Sequence, residues 1–137
     1  SLGFSLVETG AAEFITKNLM VLVGDNPLFI LLFFTVLCIG LSNIMSNSAT
    51  VAVILPIAMT VMVTLGFPPV IAMYTVAMAS ALVFLLIIGT PGNAIVYSSE
   101  VLSSRDFIKA GKWLSIIGIL IFPTIAFLWW RFLGLIP

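Results

Sequence analysis

Two short polar runs, Asn43-Ile44-Met45-Ser46-Asn47-Ser48-Ala49-Thr50 and Gly89-Thr90-Pro91-Gly92-Asn93, hold most of the chain's capacity for chemistry. They interrupt a stretch from Asn26 to Ser99 that contains no Asp, Glu, Lys, Arg or His. Neutral hydroxyls and amides are poor general acids and bases, but they bind ions well. A helix that stops leaves its last carbonyls or its first N–H groups without partners. Inside a bilayer such groups are costly unless something satisfies them. Carbonyls ending Leu41–Met45 and Ile87–Gly89 form partial negative ends, suited to a hard monovalent cation such as sodium, and Ser and Asn oxygens add neutral ligands. The N–H groups opening helices after Asn47 and after Pro91 form partial positive ends, suited to a carboxylate or sulfate. The hydroxyls of Ser48 and Thr90 and the amide of Asn47 can donate to the same anion.

Composition places these runs in a membrane. The chain is 62% hydrophobic and 7% charged, with a mean hydropathy of +1.33. A soluble domain carries about a quarter of its residues charged, so much of this surface must face lipid or other protein. Net charge is zero and the five basic residues form no dense run, which argues against nucleic acid as a partner. Cys38 is the only cysteine; it cannot form an internal disulfide and reads as a small buried hydrophobe. The absence of histidine excludes histidine-based catalysis and most transition-metal sites. The apolar region has no paired carboxylates and no setting for a reactive cysteine, so an enzyme is not expected, nor any cofactor beyond an ion.

The elements that must position the two runs follow from the apolar pattern. The fold class is an all-α membrane protein, a single membrane-embedded unit over residues 1–137. Residues 1–25 read as the end of a preceding helix and an interfacial helix, with Glu13 and Lys17 spaced for a surface pair. Residues 27–65 form two apolar arms on either side of the first polar run. Pro27 to Ile44 gives about 27 Å of helix and Thr50 to Leu65 about 24 Å. Two readings compete: spanning helices joined by a surface loop, or a re-entrant helical hairpin whose tip stops inside the bilayer. No charge, Trp or Tyr stands between Gly40 and Pro56, and small neutral side chains suit a buried turn, which favours the hairpin.

Residues 69–99 read as a broken transmembrane helix. Val70 to Ile88 is expected to be helical, and Thr90-Pro91-Gly92-Asn93 breaks it because Pro91 lacks an N–H and biases Thr90 away from helical angles. Residues 100–112 read as a polar loop and 113–136 as a final transmembrane helix, with a kink at Pro123 and Trp129, Trp130 and Arg131 at its far end. Three of the five basic residues (Arg105, Lys109, Lys112) lie in that loop, which makes it cytoplasmic. The two polar runs then come out at similar depth and can face each other. Thr35, Thr60, Thr64 and Thr75 are expected only to bond back to their own helices. Asn47 and Asn93 have a plainer reading as helix caps.

The same residues resemble a known family, the divalent anion:sodium symporters, which carry dicarboxylates, citrate or sulfate. Ser46-Asn47-Ser48-Ala49-Thr50 is similar to that family's hairpin-tip Ser-Asn-Thr motif. Gly89-Thr90-Pro91-Gly92-Asn93-Ala94 is similar to the Thr-Pro-Pro-Asn-Ala stretch where its next helix is unwound. Gly3 with Thr9-Gly10-Ala11-Ala12, and Asp106-Phe107-Ile108-Lys109-Ala110-Gly111, match flanking segments. The resemblance covers nearly the whole chain. It implies one half of an inverted-repeat fold. It implies substrate contacts from Asn47, Ser48, Thr90 and Pro91, and a sodium site from Asn47 with backbone around Ser42, Met45 and Gly89. Two residues depart from the pattern: Ser48 stands in place of Thr and Gly92 in place of the second Pro.

The resemblance further implies an elevator-type, sodium-coupled carrier of which this chain is the C-terminal half. Its partners would be a small anion, sodium, the lipid membrane, the N-terminal half and a second copy in a homodimer. Its location would be a plasma or bacterial inner membrane. The alternatives are a sodium-independent dicarboxylate exchanger of the same fold and a membrane-helix module that does not transport. The run Ser1-Leu2-Gly3-Phe4-Ser5-Leu6-Val7 looks like the tail of an earlier apolar segment, so the C-terminal part of a larger protein is expected rather than a small complete one.

Overall fold

The computed structural model describes Gly10, Phe14, Lys17, Asn18, Val21, Gly24 and residues 26–86, 90–98 and 103–136. The elements among them are α1 (Pro27–Ile44), α2 (Asn47–Thr64), α3 (Pro69–Ser80), α4 (Pro91–Ser98) and α5 (Ser104–Phe132). Most of the interfacial helix expected within 1–25, and the Glu13–Lys17 pair with it, lies outside the described residues. Of its positions, Phe14, Lys17, Asn18 and Val21 are helical and exposed.

Local chemistry sets most helix ends. Asn26 accepts the Leu28 N–H on its side chain at 3.0 Å and Pro27 takes the first position of α1, where its missing N–H costs nothing. The α1–α2 connection is only Met45 and Ser46. Ser46 caps α2 by accepting the Ala49 N–H at 3.2 Å. Gly66, at φ 77°, closes α2: its own N–H bonds the Val63 carbonyl and that of Phe67 bonds the Met62 carbonyl, a pairing that needs a left-handed residue and so favours glycine.

Packing centres on α3. It lies against both hairpin helices more extensively than they lie against each other, and α5 covers α1 and touches α3. Ile30, Leu31, Phe34 and Cys38 of α1, Ile54, Ala58, Val61 and Met62 of α2, and Ile71, Ala72, Val76 and Ala79 of α3 form one buried cluster. Apolar burial against protein gains little over burial in lipid tails, so close packing and hydrogen bonds hold these helices together. Three helices, α1, α2 and α5, are long and apolar enough to cross a membrane. At 1.5 Å per residue, α1 and α2 are each about 27 Å long and α5 about 44 Å. Along α5 the side chains of Leu114, Ile117, Leu120, Ile121, Ile125 and Leu128 are exposed, as a lipid-facing helix requires.

Three expectations need correction. The helix predicted over Val70–Ile88 stops at Ser80; Ala81–Leu86 is not helical, because its backbone finds partners outside the helix, as described below. The loop predicted over 100–112 is helical from Ser104, so the last helix spans Ser104–Phe132 rather than 113–136. The cause is a reciprocal cap. The Ser103 hydroxyl accepts the Asp106 N–H while the Asp106 carboxylate accepts the Ser103 N–H, a signature readable in the Ser-x-x-Asp spacing. Thr35, Thr60 and Thr64 do bond back, at 2.7, 2.9 and 2.8 Å. Thr75 does not: its buried hydroxyl has no partner among the described residues, although the residue is one of those around an apolar cavity.

Candidate functional site

The hairpin tip exposes backbone at two helix ends that meet. Met45 leaves α1 in extended backbone (φ −121°, ψ 172°), with its N–H on the Leu41 carbonyl at 2.8 Å. The carbonyls of Ser42, Asn43 and Ile44 receive no backbone N–H from the described residues. Two side-chain oxygens flank them. Ser42 Oγ is fully buried and Asn47 Oδ1 is buried at its atom, and neither has a hydrogen-bond partner among the described residues. Thr50 Oγ1, one turn into α2, is buried and also without a partner among the described residues. A buried oxygen left without a donor costs about 1–3 kcal/mol. Neutral oxygens of this kind, beside free carbonyls at a helix C-terminus, suit a hard cation such as sodium. Of the four residues expected at a sodium site, Ser42, Met45 and Asn47 sit at this tip; Gly89 lies outside the described residues.

Ser48 is exposed in the first turn of α2, so its hydroxyl and the opening N–H groups of α2 face the same end. Pro91 begins α4, and Thr90 stands just before it. Thr90 Oγ1 accepts the Asn93 N–H at 3.2 Å, which leaves the hydroxyl proton to donate elsewhere. The caps are therefore Ser46 and Thr90, not Asn47 and Asn93. A β-carbon added at Gly92 would meet nothing closer than Thr90 Oγ1, at 3.9 Å, so glycine is not sterically required there.

The two polar runs are joined, by residues whose role the sequence did not disclose. Asn43 Oδ1 accepts the N–H groups of both Leu85 and Leu86, at 3.0 and 3.1 Å. Asn93 Nδ2 donates to the carbonyls of Val83 and Leu86, each at 3.1 Å. Leu86 is thus held by the hairpin through its N–H and by α4 through its carbonyl. From the other side Gly111 of α5 lies so close to the Phe84 carbonyl that a β-carbon would stand 1.9 Å from that oxygen. Gly111 follows the turns bearing Arg105, Asp106 and Lys109, so the joined breaks lie toward the charged end of α5.

A separate cavity of about 570 Å³ lies between α3 and α5, lined by Tyr74, Thr75, Met78, Phe122, Trp129 and Trp130 among others. It shares no lining residue with either break and is apolar, so it does not fit an anion. Among the described residues there is no cluster of three or more His, Cys, Asp or Glu that could hold a metal.

Known proteins share this chain's sequence pattern. Residues 2–136 match the family model for the sodium:sulfate symporter transmembrane region. The chain is 32% identical over 127 residues to a protein of Staphylococcus saprophyticus named sodium-dependent dicarboxylate transporter SdcS. It is also 32% identical over 127 residues to the protein of that name from Staphylococcus aureus strain USA300. In each case the match covers 93% of this chain and 24% of the relative, so the chain spans about a quarter of the length of these relatives.

Proposed function

Because this chain belongs to the sodium:sulfate symporter family, a family of membrane transporters, we propose that it forms part of the site of a secondary carrier that moves a divalent anion with sodium. The observation that carries the reading is the pair of buried, unpartnered oxygens, Ser42 Oγ and Asn47 Oδ1, at the end of α1. Ser42, Asn47 and backbone near Met45 and Gly89 hold sodium. Asn47, Ser48, Thr90 and Pro91 hold the anion, with the N-termini of α2 and α4 supplying partial positive charge. The relatives' names favour a dicarboxylate over citrate or sulfate.

Electrostatics supplies the reason for coupling. No side chain from Asn26 to Ser99 carries charge. A dianion in a poorly hydrated site is costly unless charge compensates it. Two helix N-termini contribute about half a charge each, which leaves a deficit that sodium fills. Anion binding therefore weakens when sodium is withheld.

The remaining features belong to the same proposal. The α1–α2 pair is a re-entrant hairpin within the C-terminal repeat of an elevator-type carrier. An N-terminal half completes the site, and the carrier is a homodimer in the cell membrane with the Ser103–Lys112 end of α5 cytoplasmic. At about 27 Å, α1 and α2 are each long enough to cross; what supports a tip that ends within the membrane is the absence of any charge, Trp or Tyr between Gly40 and Pro56. The test is uptake of radiolabelled succinate, citrate and sulfate by the full-length protein in vesicles. Uptake should collapse when choline replaces sodium. Equal uptake in the two salts contradicts the coupling, and exchange from succinate-preloaded vesicles without sodium would support the exchanger reading.

A further inference from the structure

The break at 81–86 is held by three groups that do not belong to it, and one of them comes from the hairpin tip. We infer that Asn43 is a positioning residue that fastens the unwound segment to the hairpin, so that the cation end of the site and the anion end respond as one unit. This inference rests on the proposed transport function and assigns the means of its coupling.

Asn43 is 3% exposed, in the last turn of α1. Its Nδ2 donates to the Ile39 carbonyl at 2.7 Å, which fixes the plane of the amide and directs Oδ1 away from its own helix. Both lone pairs of Oδ1 are then used, one by Leu85 N–H and one by Leu86 N–H. No other neutral side chain of this length offers a donor at one end and a double acceptor at the other. Asn93 supplies the converse, a double donor to carbonyls of the same segment. Unwound backbone at membrane depth must be satisfied by protein, and these two amides cover both of its polarities.

The position of Asn43 gives the fastening a function. It follows Ser42, whose buried hydroxyl lacks a partner among the described residues, and its own carbonyl is one of those left free at the end of α1. A cation drawn to those oxygens orders the last turn of α1, and with it the Asn43 side chain. Leu86, which Asn43 holds, is also bonded to Asn93 of α4, whose N–H is capped by the Thr90 hydroxyl just before the helix. The path from the cation oxygens to the anion hydroxyl thus runs Ser42, Asn43, Leu86, Asn93, Thr90, through hydrogen bonds and adjacent residues only.

The test uses the full-length protein with Asn43→Leu and Asn43→Asp, read two ways. Hydrogen exchange of the peptide containing Leu85 and Leu86 reports the fastening directly. Losing both acceptor bonds should speed exchange there at least about tenfold in Asn43→Leu, and sodium should no longer slow it. Asn43→Asp keeps acceptors for the two N–H groups but loses the donor to Ile39 and buries a charge, so its exchange there should lie between wild type and Asn43→Leu. The second reading is the half-saturating substrate concentration at low and high sodium. It should fall with sodium in the wild type and become insensitive to sodium in Asn43→Leu. Unchanged exchange in Asn43→Leu overturns the fastening; a wild-type sodium response in that variant overturns the coupling role. If Asn43→Leu does not fold, Asn93→Ala, which releases the same segment from its other side, carries both readings with the same expected directions. A wild-type protein whose uptake ignores sodium overturns the proposed function and the coupling role together, while the exchange result still decides the fastening.

Discussion

The hairpin tip and the break after α3 both interrupt helices in the uncharged stretch from Asn26 to Ser99, and their backbones are satisfied in different ways. At the tip the partners are local. Ser46 accepts from Ala49 three residues on, and Met45 bonds back to Leu41. What is left over, Ser42 Oγ, Asn47 Oδ1 and the last carbonyls of α1, finds no partner among the described residues. At the break two of the neighbours come from far along the chain: Asn43 reaches residues 42 and 43 positions away, and Gly111 abuts the Phe84 carbonyl, while Asn93 holds the Val83 and Leu86 carbonyls from ten and seven residues on. On the proposed function the tip holds an ion that comes and goes, whereas the break is held by its protein neighbours.

That contrast predicts where substitutions do most damage. The largest effect should come from Gly111→Ala. A β-carbon 1.9 Å from a backbone oxygen cannot be accommodated by a rotamer change, so α5 must move off the break, at a cost at or above the roughly 1–3 kcal/mol typical of overpacking. Gly118→Ala is the control, since its nearest neighbour is the flexible Leu82 Cδ1 at 3.4 Å. Thermal unfolding in detergent should fall sharply for the first and little for the second; equal losses would show that the close approach is not what matters.

Next in size is Asn93→Ala, which strands the Val83 and Leu86 carbonyls. At about 1 kcal/mol for each hydrogen bond, it should cost about 2 kcal/mol, with faster hydrogen exchange confined to the break. Exchange that rises evenly across all helices would contradict a local role. Ser46→Ala removes a cap at the tip and should cost about 1 kcal/mol, visible as a modest loss of melting temperature with the break's exchange untouched. Smallest and opposite in sign is Gly92→Ala. The site is open and lies in the first turns of α4, so alanine should stabilise that helix by about 0.5–1 kcal/mol. A drop in stability there would mean that α4 needs glycine's flexibility.

The same contrast explains what the sequence discloses. The ends of α1 and α2 can be read from Asn26-Pro27, Ser46 and Gly66 because caps and turns use neighbours within a few residues. Asn47 and Ser48 are legible as part of the polar run 43–50 in an apolar stretch, whereas Ser42 and Met45 are singled out only by the family resemblance. Sequence places the break too late, because Ala81-Leu82-Val83-Phe84-Leu85-Leu86 is as apolar as any spanning helix. Its unwinding depends on amides that fold back from Asn43 and Asn93, and on a glycine in α5, none of which has a spacing signature. The start of α5 is misread for a different reason: the charges of Arg105, Asp106, Lys109 and Lys112 suggest a loop and outweigh the Ser103–Asp106 capping pattern, which stands in plain view.

The most direct test of the central claim is accessibility at Ser48, beside the open oxygens of the tip. Ser48→Cys is placed in full-length protein whose other exposed cysteines are replaced; Cys38, being buried, can remain without contributing an exposed thiol. The rate of labelling by a membrane-impermeant thiol reagent is then followed with sodium, with a dicarboxylate, and with both. The account predicts slow labelling only when sodium and the dicarboxylate are present together. Labelling at one unchanging rate under all conditions, as at an ordinary surface loop, would contradict it.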